Sequence, residues 1–409
     1  MKLTCLKVYK LFGLLDYDIP LDQNEITMLT GPNGYGKTMI LKIINSILSN
    51  ELNILCKLKF DKIILNYQGG STSFCYDSKN NTLQLEHFDS NEVILDTEIL
   101  KLEIEDEKSD EIIVFYLNSE KTKHKQKKNK EKALRSNYLC KMTSQDVVSF
   151  IIADRLQIVK GDTTVIDSCA TKLKKLMEMA QDESAELSQK LDATFPIRLF
   201  ERLEQQKRFF SENIEMRLKG IQDKRRRYMH YGLIQSEQDL MPEKSTSLNS
   251  SNEYLGVLEL YIEDALGKLS PFEVLYQKID LFESILKEKI LAFKEIVIDR
   301  DNGFYFRNIN NDIIDRNALS SGEQNQIVLL FNLIFELTFQ KVILIDEPEI
   351  SLHVAWQQTF LESLKKIQKI NKYEKVIIAT HSPQVISKNW SLTFDLYEIY
   401  KNRDNSKGN

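Results

Sequence analysis

Near the N-terminus the apolar residues are spaced as β-structure. Leu3, Cys5 and Val8 fall on one short strand and Asp16 to Leu21 on a second. Glu25 to Thr30 is nearly continuous in apolar character, which predicts a buried strand running into a glycine-rich loop. From Thr38 to Leu48 the period becomes helical, with Ile40, Leu41, Ile44, Ile47 and Leu48 on one face. Residues 60–118 alternate again, as in Asp61 to Tyr67 and Thr82 to Glu86. Gly69-Gly70 and Asn80-Asn81 punctuate them, so an antiparallel sheet is expected. Val147 to Arg155 reads as another buried strand.

The middle of the chain changes character. Leu173, Leu176, Leu187 and Leu191 keep helical spacing, as do Leu199, Leu203, Phe210, Ile214 and Leu218. Phe195-Pro196 predicts a break between the two runs. Residues 236–252 are polar and aperiodic, as a loop would be. Two more helices are expected, at 254–268 and 271–294. The second opens on Ser270-Pro271-Phe272-Glu273, a capping box with proline at the first helical position. Ala292 to Phe306 reads as a helix end and a hairpin. The expected organisation is an N-terminal lobe at 1–165, a helical insertion at 166–300 and a C-terminal lobe at 301–409. No internal repeat is visible.

Composition narrows the classes. The 409 residues are 42% hydrophobic, enough for a sizeable core, and the net charge of −5 supplies no global attraction to nucleic acid or anionic lipid. Five scattered cysteines with no CxxC spacing fit neither a disulfide framework nor a zinc knuckle. The first residues hold no apolar signal core, and the longest apolar stretch, Gln326 to Phe339, is broken by Asn332 and Glu336. A cytoplasmic protein without a membrane partner is expected. Two basic stretches stand out. Lys121 to Lys132 holds seven lysines in twelve residues and is either a solvated loop or a phosphate-contacting patch. Lys224-Arg225-Arg226-Arg227, followed by Tyr228, His230 and Tyr231, is either a favourable helix C-terminus or a surface for DNA or a partner.

The chemistry is carried by motifs at the two ends. Gly31-Pro32-Asn33-Gly34-Tyr35-Gly36-Lys37-Thr38 matches GxxxxGK[ST] between an expected strand and an expected helix. Gly31, Asn33, Gly34 and Gly36 belong to a loop whose backbone N–H groups can wrap phosphates at a helix N-terminus. Lys37 is expected to reach the β- and γ-phosphates and Thr38 to offer its hydroxyl to Mg²⁺. Val342 to Ile345 is an apolar strand that ejects Asp346 and Glu347 at its carboxyl end, where α/β sheets bind ligands. Asp346 is the expected Mg²⁺ ligand, and Glu347 the residue that orients and deprotonates the attacking water. Val376 to Ala379 is a further buried strand that leads to Thr380-His381-Ser382, with His381 as γ-phosphate sensor. Leu319-Ser320-Ser321-Gly322-Glu323-Gln324 begins a helix with Ser320 as N-cap and Glu323 at its third position. Ser320, Gly322 and Glu323 form the expected second phosphate clamp, supplied by a neighbouring subunit.

Together these motifs resemble those of an ABC-type ATPase head of the SMC/RecF/OLD group. The resemblance covers residues 1–60, the strand near 150–157 and 300–395. It implies an α/β ABC-type P-loop fold with an antiparallel β subdomain, ATP and Mg²⁺ as ligands, and a homodimer or higher homo-oligomer built around composite ATP sites. It also implies a polar residue after a strand that senses Mg²⁺, with Gln157 the candidate and Arg155 its rival. Pro348 to His353 resembles the loop that crosses the dimer interface, although Val354 stands where relatives often carry proline, which leaves the role of His353 open. The layout is similar to the stand-alone ATPase subunits of the PARIS and Septu anti-phage systems. That similarity implies a sensor or scaffold for a separate effector, such as a Toprim or HNH nuclease. A RecF-like repair ATPase and an ATP-locked scaffold are the alternatives, and a helix-interrupted head does not suit a transporter cassette. No nuclease activity is expected in this chain. Only 28 residues follow His381, the five histidines are dispersed, and Glu263 and Asp264 read as a solvated helix face.

Overall fold

The computed structural model describes residues 2–101, 133–142, 147–152, 164–204, 211–235, 252–289, 293–337 and 341–407. Gln157, Arg155, the lysines of 121–132, residues 236–251 and the 102–118 end of the alternating stretch lie outside the described residues. The N-terminal stretch folds as its alternation predicts. Strands β1 (Leu3–Leu11) and β2 (Leu15–Pro20) form a hairpin, and β3 (Ile26–Thr30) is buried at every position. Helix α1 (Lys37–Leu48) follows, then a short α2 (Asn53–Cys56). Next come β4 (Lys62–Tyr67), β5 (Gly70–Asp77), β6 (Thr82–Asp89) and β7 (Ile94–Lys101). They build a six-stranded antiparallel sheet in the order β2-β1-β4-β5-β6-β7. A short α3 (Asn137–Met142) and strand β8 (Val148–Ile151) complete this stretch.

Two prolines do not end helices as the sequence suggests. Helix α4 runs unbroken over Val165–Glu204 with Pro196 inside it, and α6 over Asn252–Lys289 with Pro271 inside it. Between them lies α5 (Ser211–His230). At Pro271 the physical reason is local replacement of the lost donor. Pro271 leaves the Gly267 carbonyl without its helical N–H, and the Ser270 hydroxyl donates to that oxygen at 2.8 Å. Ser270 is therefore a mid-helix donor and not a cap. Near Pro196 the helix is instead tied by side chains, with Arg198 Nη2 donating to the Leu191 carbonyl at 2.7 Å. Pairing between α4 and α6 then fixes both helices. Arg198 forms a bidentate pair with Asp264, Arg202 bonds Glu263, and Lys268 bonds Asp192 at 2.8 Å. Asp264 is 7% exposed, so it is a buried partner of Arg198 and not part of a solvated face. A hairpin of β9 (Lys294–Asp299) and β10 (Gly303–Asn308) follows, with a short β11 (Ile313–Ile314) on its edge, and then helix α7 (Ser321–Phe331).

The last stretch contributes β12 (Val342–Asp346), α8 (Val354–Gln357), α9 (Phe360–Asn371), β13 (Lys375–Ala379), α10 (Pro383–Ile386), β14 (Thr393–Asp395) and α11 (Leu396–Lys407). Its strands join earlier ones in a five-stranded parallel sheet, ordered β14-β3-β13-β12-β8. The three central strands are buried at every residue, which is why they read as continuous apolar runs rather than as alternation.

The chain divides into two compact units. The first comprises Met1–Ala153, Phe339–Ile350 and Lys372–Asn409, and the second Asp154–Thr338 and Ser351–Asn371. The first unit is a mixed α/β body whose core joins the antiparallel sheet (Leu6, Val8, Leu65, Phe74, Leu85) to α1 and to the parallel sheet (Leu29, Leu344, Ile377). The α1 face foreseen from spacing is fully buried, and Ile43 is buried with it, so the helix is enclosed on more than one side. The second unit is built on the long helices. In the basic stretch at 224–231, Lys224 and the two tyrosines are held in the unit, while Arg226, Arg227 and His230 remain exposed. Lys224 Nζ bonds Glu273 at 2.7 Å, and the Tyr228 hydroxyl donates to the same carboxylate at 2.8 Å. Tyr231 donates to Glu283 at 2.9 Å, and both tyrosines are buried.

Candidate nucleotide-binding site

Three adjacent parallel strands of the first unit end at the same level. Asp346 on β12 is in register with Ala379 on β13, and Ala379 with Leu29 on β3. Because β13 lies between β3 and β12, the segments that follow the strands are brought side by side: the glycine-rich loop, the Asp-Glu pair and His381. This is the crevice at the carboxyl ends of the strands where open α/β sheets take ligands.

The loop has the geometry of a phosphate cradle. Gly36 is the N-cap of α1 with φ 81°, a left-handed conformation that suits glycine. At Gly34, φ is 90°, and a Cβ there would meet nothing within 4 Å, so the backbone is open to a ligand. Lys37, only 6% exposed, donates from Nζ to the Gly31 carbonyl at 2.7 Å and the Pro32 carbonyl at 3.1 Å. Behind the loop, the Tyr17 hydroxyl donates to the Tyr35 carbonyl at 2.8 Å. The Tyr35 ring meets Tyr397 edge-on at 5.4 Å.

A cleft of about 320 Å³ opens here. Asn33, Gly34, Gly36, Lys37, Thr38 and Glu347 line it, with Phe12 and Met39. The Thr38 hydroxyl donates to Asp346 Oδ1 at 3.0 Å. Burial pushes the Asp346 carboxyl above the ordinary aspartate value. The Thr38 hydrogen bond opposes that rise, and the Glu347 charge adds to it. A hydroxyl beside a buried carboxylate, at a strand end next to a glycine-rich loop, is a donor set that fits Mg²⁺. Glu347 has φ 43°, a left-handed backbone that turns the chain sharply after β12, and its N–H is held by the Ala379 carbonyl at 2.9 Å.

Sequence reasoning missed Phe12 and Glu349. Phe12 sits in the β1–β2 turn with φ 57° and is 42% exposed, and only its place over the loop marks it. Glu349 is buried. Its Oε1 accepts from the His381 backbone N–H at 2.8 Å and lies 3.1 Å from His381 Nδ1, whereas Glu347 Oε1 is 3.9 Å from that nitrogen. The one hint in the sequence was a second acidic residue two positions after Glu347.

The signature belongs to the second unit. Ser320 caps α7 by accepting from the Glu323 N–H at 3.3 Å, and the Glu323 carboxylate accepts from the Ser320 N–H at 2.8 Å. This is the expected capping box. The Ser320 hydroxyl also donates to Glu323 at 2.9 Å, and Lys294 of β9 forms two bonds to that carboxylate, at 2.7 and 2.9 Å. Burial raises the Glu323 carboxyl, but Lys294 and Ser320 outweigh it and hold it below the ordinary glutamate value. A Cβ on Gly322 would meet nothing within 4 Å, so the turn beside Ser320 is open. His353 is a local N-cap of α8, with Nδ1 accepting from the Ala355 N–H at 3.3 Å. Gln157 lies outside the described residues, which bring Lys37, Thr38, Asp346, Glu347 and His381 into one region.

The chain belongs to the AAA ATPase domain family, whose model matches residues 1–386. Nothing among curated proteins matches its sequence. Among solved structures it is similar to the SMC head domain from Thermotoga maritima, at 10% identity and a TM-score of 0.33, over 94% of this chain and 91% of that one. It is also similar to an SMC head bound to the C-terminal winged-helix domain of ScpA, at 11% identity and a TM-score of 0.37, with the same coverage. The site therefore rests on its own geometry and on the family. Among the described residues, no helix is long and apolar enough to cross a membrane, and no group of three or more His, Cys, Asp or Glu side chains could hold a metal ion by itself.

Proposed function

We propose that this chain binds ATP with Mg²⁺ in the cleft at the ends of β3, β12 and β13 and hydrolyses it. In this reading, Ser320, Gly322 and Glu323 of one copy close over the nucleotide held by another. The observation that carries the reading is the Thr38–Asp346 pair. A P-loop hydroxyl and a buried carboxylate meet at 3.0 Å although 308 positions separate them in the chain. These two residues would hold Mg²⁺, which neutralises developing charge on the phosphates when bound. Lys37 and the loop amides take the phosphate charge. Glu347 accepts the proton of the attacking water, and His381 contacts the terminal phosphate. Phe12 offers the aromatic face on which a purine base can stack.

The ATPase then serves as a sensor or scaffold for a separate effector, in the manner of the anti-phage ATPases it resembles, with the helical unit as docking surface. Burial of Tyr228 and Tyr231 and the pairing of Lys224 support this over a duplex-stimulated, RecF-like role, because they remove the best stacking residues from a nucleic-acid surface. The test is Mg²⁺-dependent phosphate release and solution mass with and without ATP, using Lys37→Ala as control. Turnover lost in Lys37→Ala and a mass that rises with ATP are the expected results. Wild-type turnover in Lys37→Ala would refute the site. Strong stimulation by duplex DNA would favour the repair reading.

A further inference from the structure

We propose that Glu349 is the positioning residue of the site, holding His381 in one ring orientation and one tautomer; this rests on the ATPase reading above. Three observations converge. First, the Glu349 carboxylate is buried and directed at His381, where Oε1 receives the backbone N–H at 2.8 Å and lies 3.1 Å from Nδ1. One oxygen thus bonds the backbone N–H and lies beside the ring nitrogen of the same residue. Second, the 3.1 Å approach of Oε1 favours hydrogen on Nδ1, because a carboxylate oxygen beside that nitrogen is an acceptor. Nε2 is then the nitrogen left to meet a ligand, and it has no partner among the described residues. Third, the backbone after β12 is built to deliver this carboxylate. Glu347 takes φ 43°, and a 3-10 turn over Pro348–Ser351 follows it, carrying Glu349 back beneath the end of β13.

Glu347 and Glu349 therefore divide the work. Glu347 lines the cleft and is 3.9 Å from the imidazole, too far for a hydrogen bond. Glu349 does not line the cleft and acts on it through His381. A carboxylate behind a working imidazole sets which nitrogen is protonated and where the ring points, and it stabilises the ring when positive charge develops on it. A His381 ring free to flip would present Nδ1 or Nε2 without preference.

The test has two readouts. The first is the ¹⁵N–¹H correlation pattern of the His381 ring in full-length protein, wild type against Glu349→Gln, Glu349→Asp and Glu349→Ala. In wild type the neutral ring should be the Nδ1–H tautomer, and Glu349→Ala should lose that preference. The second is steady-state ATP hydrolysis. Losing a carboxylate that orients a site imidazole commonly costs about 10- to 100-fold. That loss should fall on kcat for Glu349→Ala and Glu349→Gln, with KM for ATP near wild type, and Glu349→Asp should recover part of it. Should Glu349→Ala fail to fold, the isosteric Glu349→Gln carries the test. An Nε2–H tautomer in wild type, or kcat in Glu349→Gln equal to wild type, would overturn the proposal. If the wild-type protein hydrolyses no ATP, the functional reading fails, while the tautomer measurement still decides the role of Glu349.

Discussion

Replacing Glu347 with glutamine is the sharpest perturbation of the cleft. The amide keeps the length and hydrogen-bonding shape of the side chain. It also leaves the left-handed backbone and the 2.9 Å bond to the Ala379 carbonyl unchanged. What it removes is the capacity to accept a proton. Loss of a positioned general base costs about 10²- to 10⁴-fold in turnover, which is about 2.7–5.4 kcal/mol in barrier height. The geometry ranks this loss against those at neighbouring carboxylates. Glu347 lines the cleft itself, whereas Glu349 stands behind the His381 ring, so Glu347→Gln should cost more than Glu349→Gln. ATP binding should survive, because Lys37, the loop amides and the Thr38–Asp346 pair are untouched, and removing a negative charge beside a triphosphate does not weaken it. Phosphate release and fluorescent-ATP titration measure the two effects separately. Light scattering should show an assembly that persists with ATP. Turnover within a few-fold of wild type, or a loss smaller than that of Glu349→Gln, would refute the assignment of Glu347 as the base.

Further outcomes follow from other parts of the molecule. Ser320→Arg should leave nucleotide binding intact in the isolated chain and abolish ATP-dependent assembly; loss of binding in the monomer would defeat the composite site. Glu273 has its carboxyl held below the ordinary value, first by the Lys224 hydrogen bond. Its contribution is therefore present above the unfolded carboxylate pKa and is lost as pH falls through the depressed folded value. Acid unfolding followed by circular dichroism should be steeper in wild type than in Glu273→Gln in that low-pH window, and identical slopes would remove the linkage. Gly303→Ala should destabilise the second unit, since its Cβ would sit 2.0 Å from the Ala170 carbonyl oxygen at a φ of +70°. The left-handed backbone alone contributes about 1–2 kcal/mol, and urea unfolding with wild-type stability would show that α4 yields freely.

The parallel sheet and the candidate site at its strand ends were legible because buried strands write themselves as apolar runs and a phosphate-binding loop needs glycines at fixed spacing. Val342 to Asp346 and Val376 to His381 are examples. The helical unit was less legible. Pro196 and Pro271 carry the local signal of a helix end, but that signal is overridden by partners far away in the chain: Arg198 with Asp264, and Lys268 with Asp192. At Pro271 the rescue comes from Ser270, the residue that local spacing marks as a cap. Asp264 was misread for the same reason, because an acidic residue on a helix is solvated unless a cation from another helix covers it. Glu349 was invisible as a partner of His381, since only the turn after β12 brings residues 32 positions apart together.

The bonds that Lys294 and Ser320 make to Glu323 bear on how fast two copies can meet. In the free chain the Ser320 hydroxyl is already engaged with the Glu323 carboxylate, whose charge is balanced by Lys294. Under the proposed reading, an incoming triphosphate must compete for that hydroxyl while approaching a negative side chain. The lysine then acts as an electrostatic shield during encounter. Pairing depends on it before any new contact forms, so association should be the step most sensitive to ionic strength, with the chemistry inside the cleft far less so.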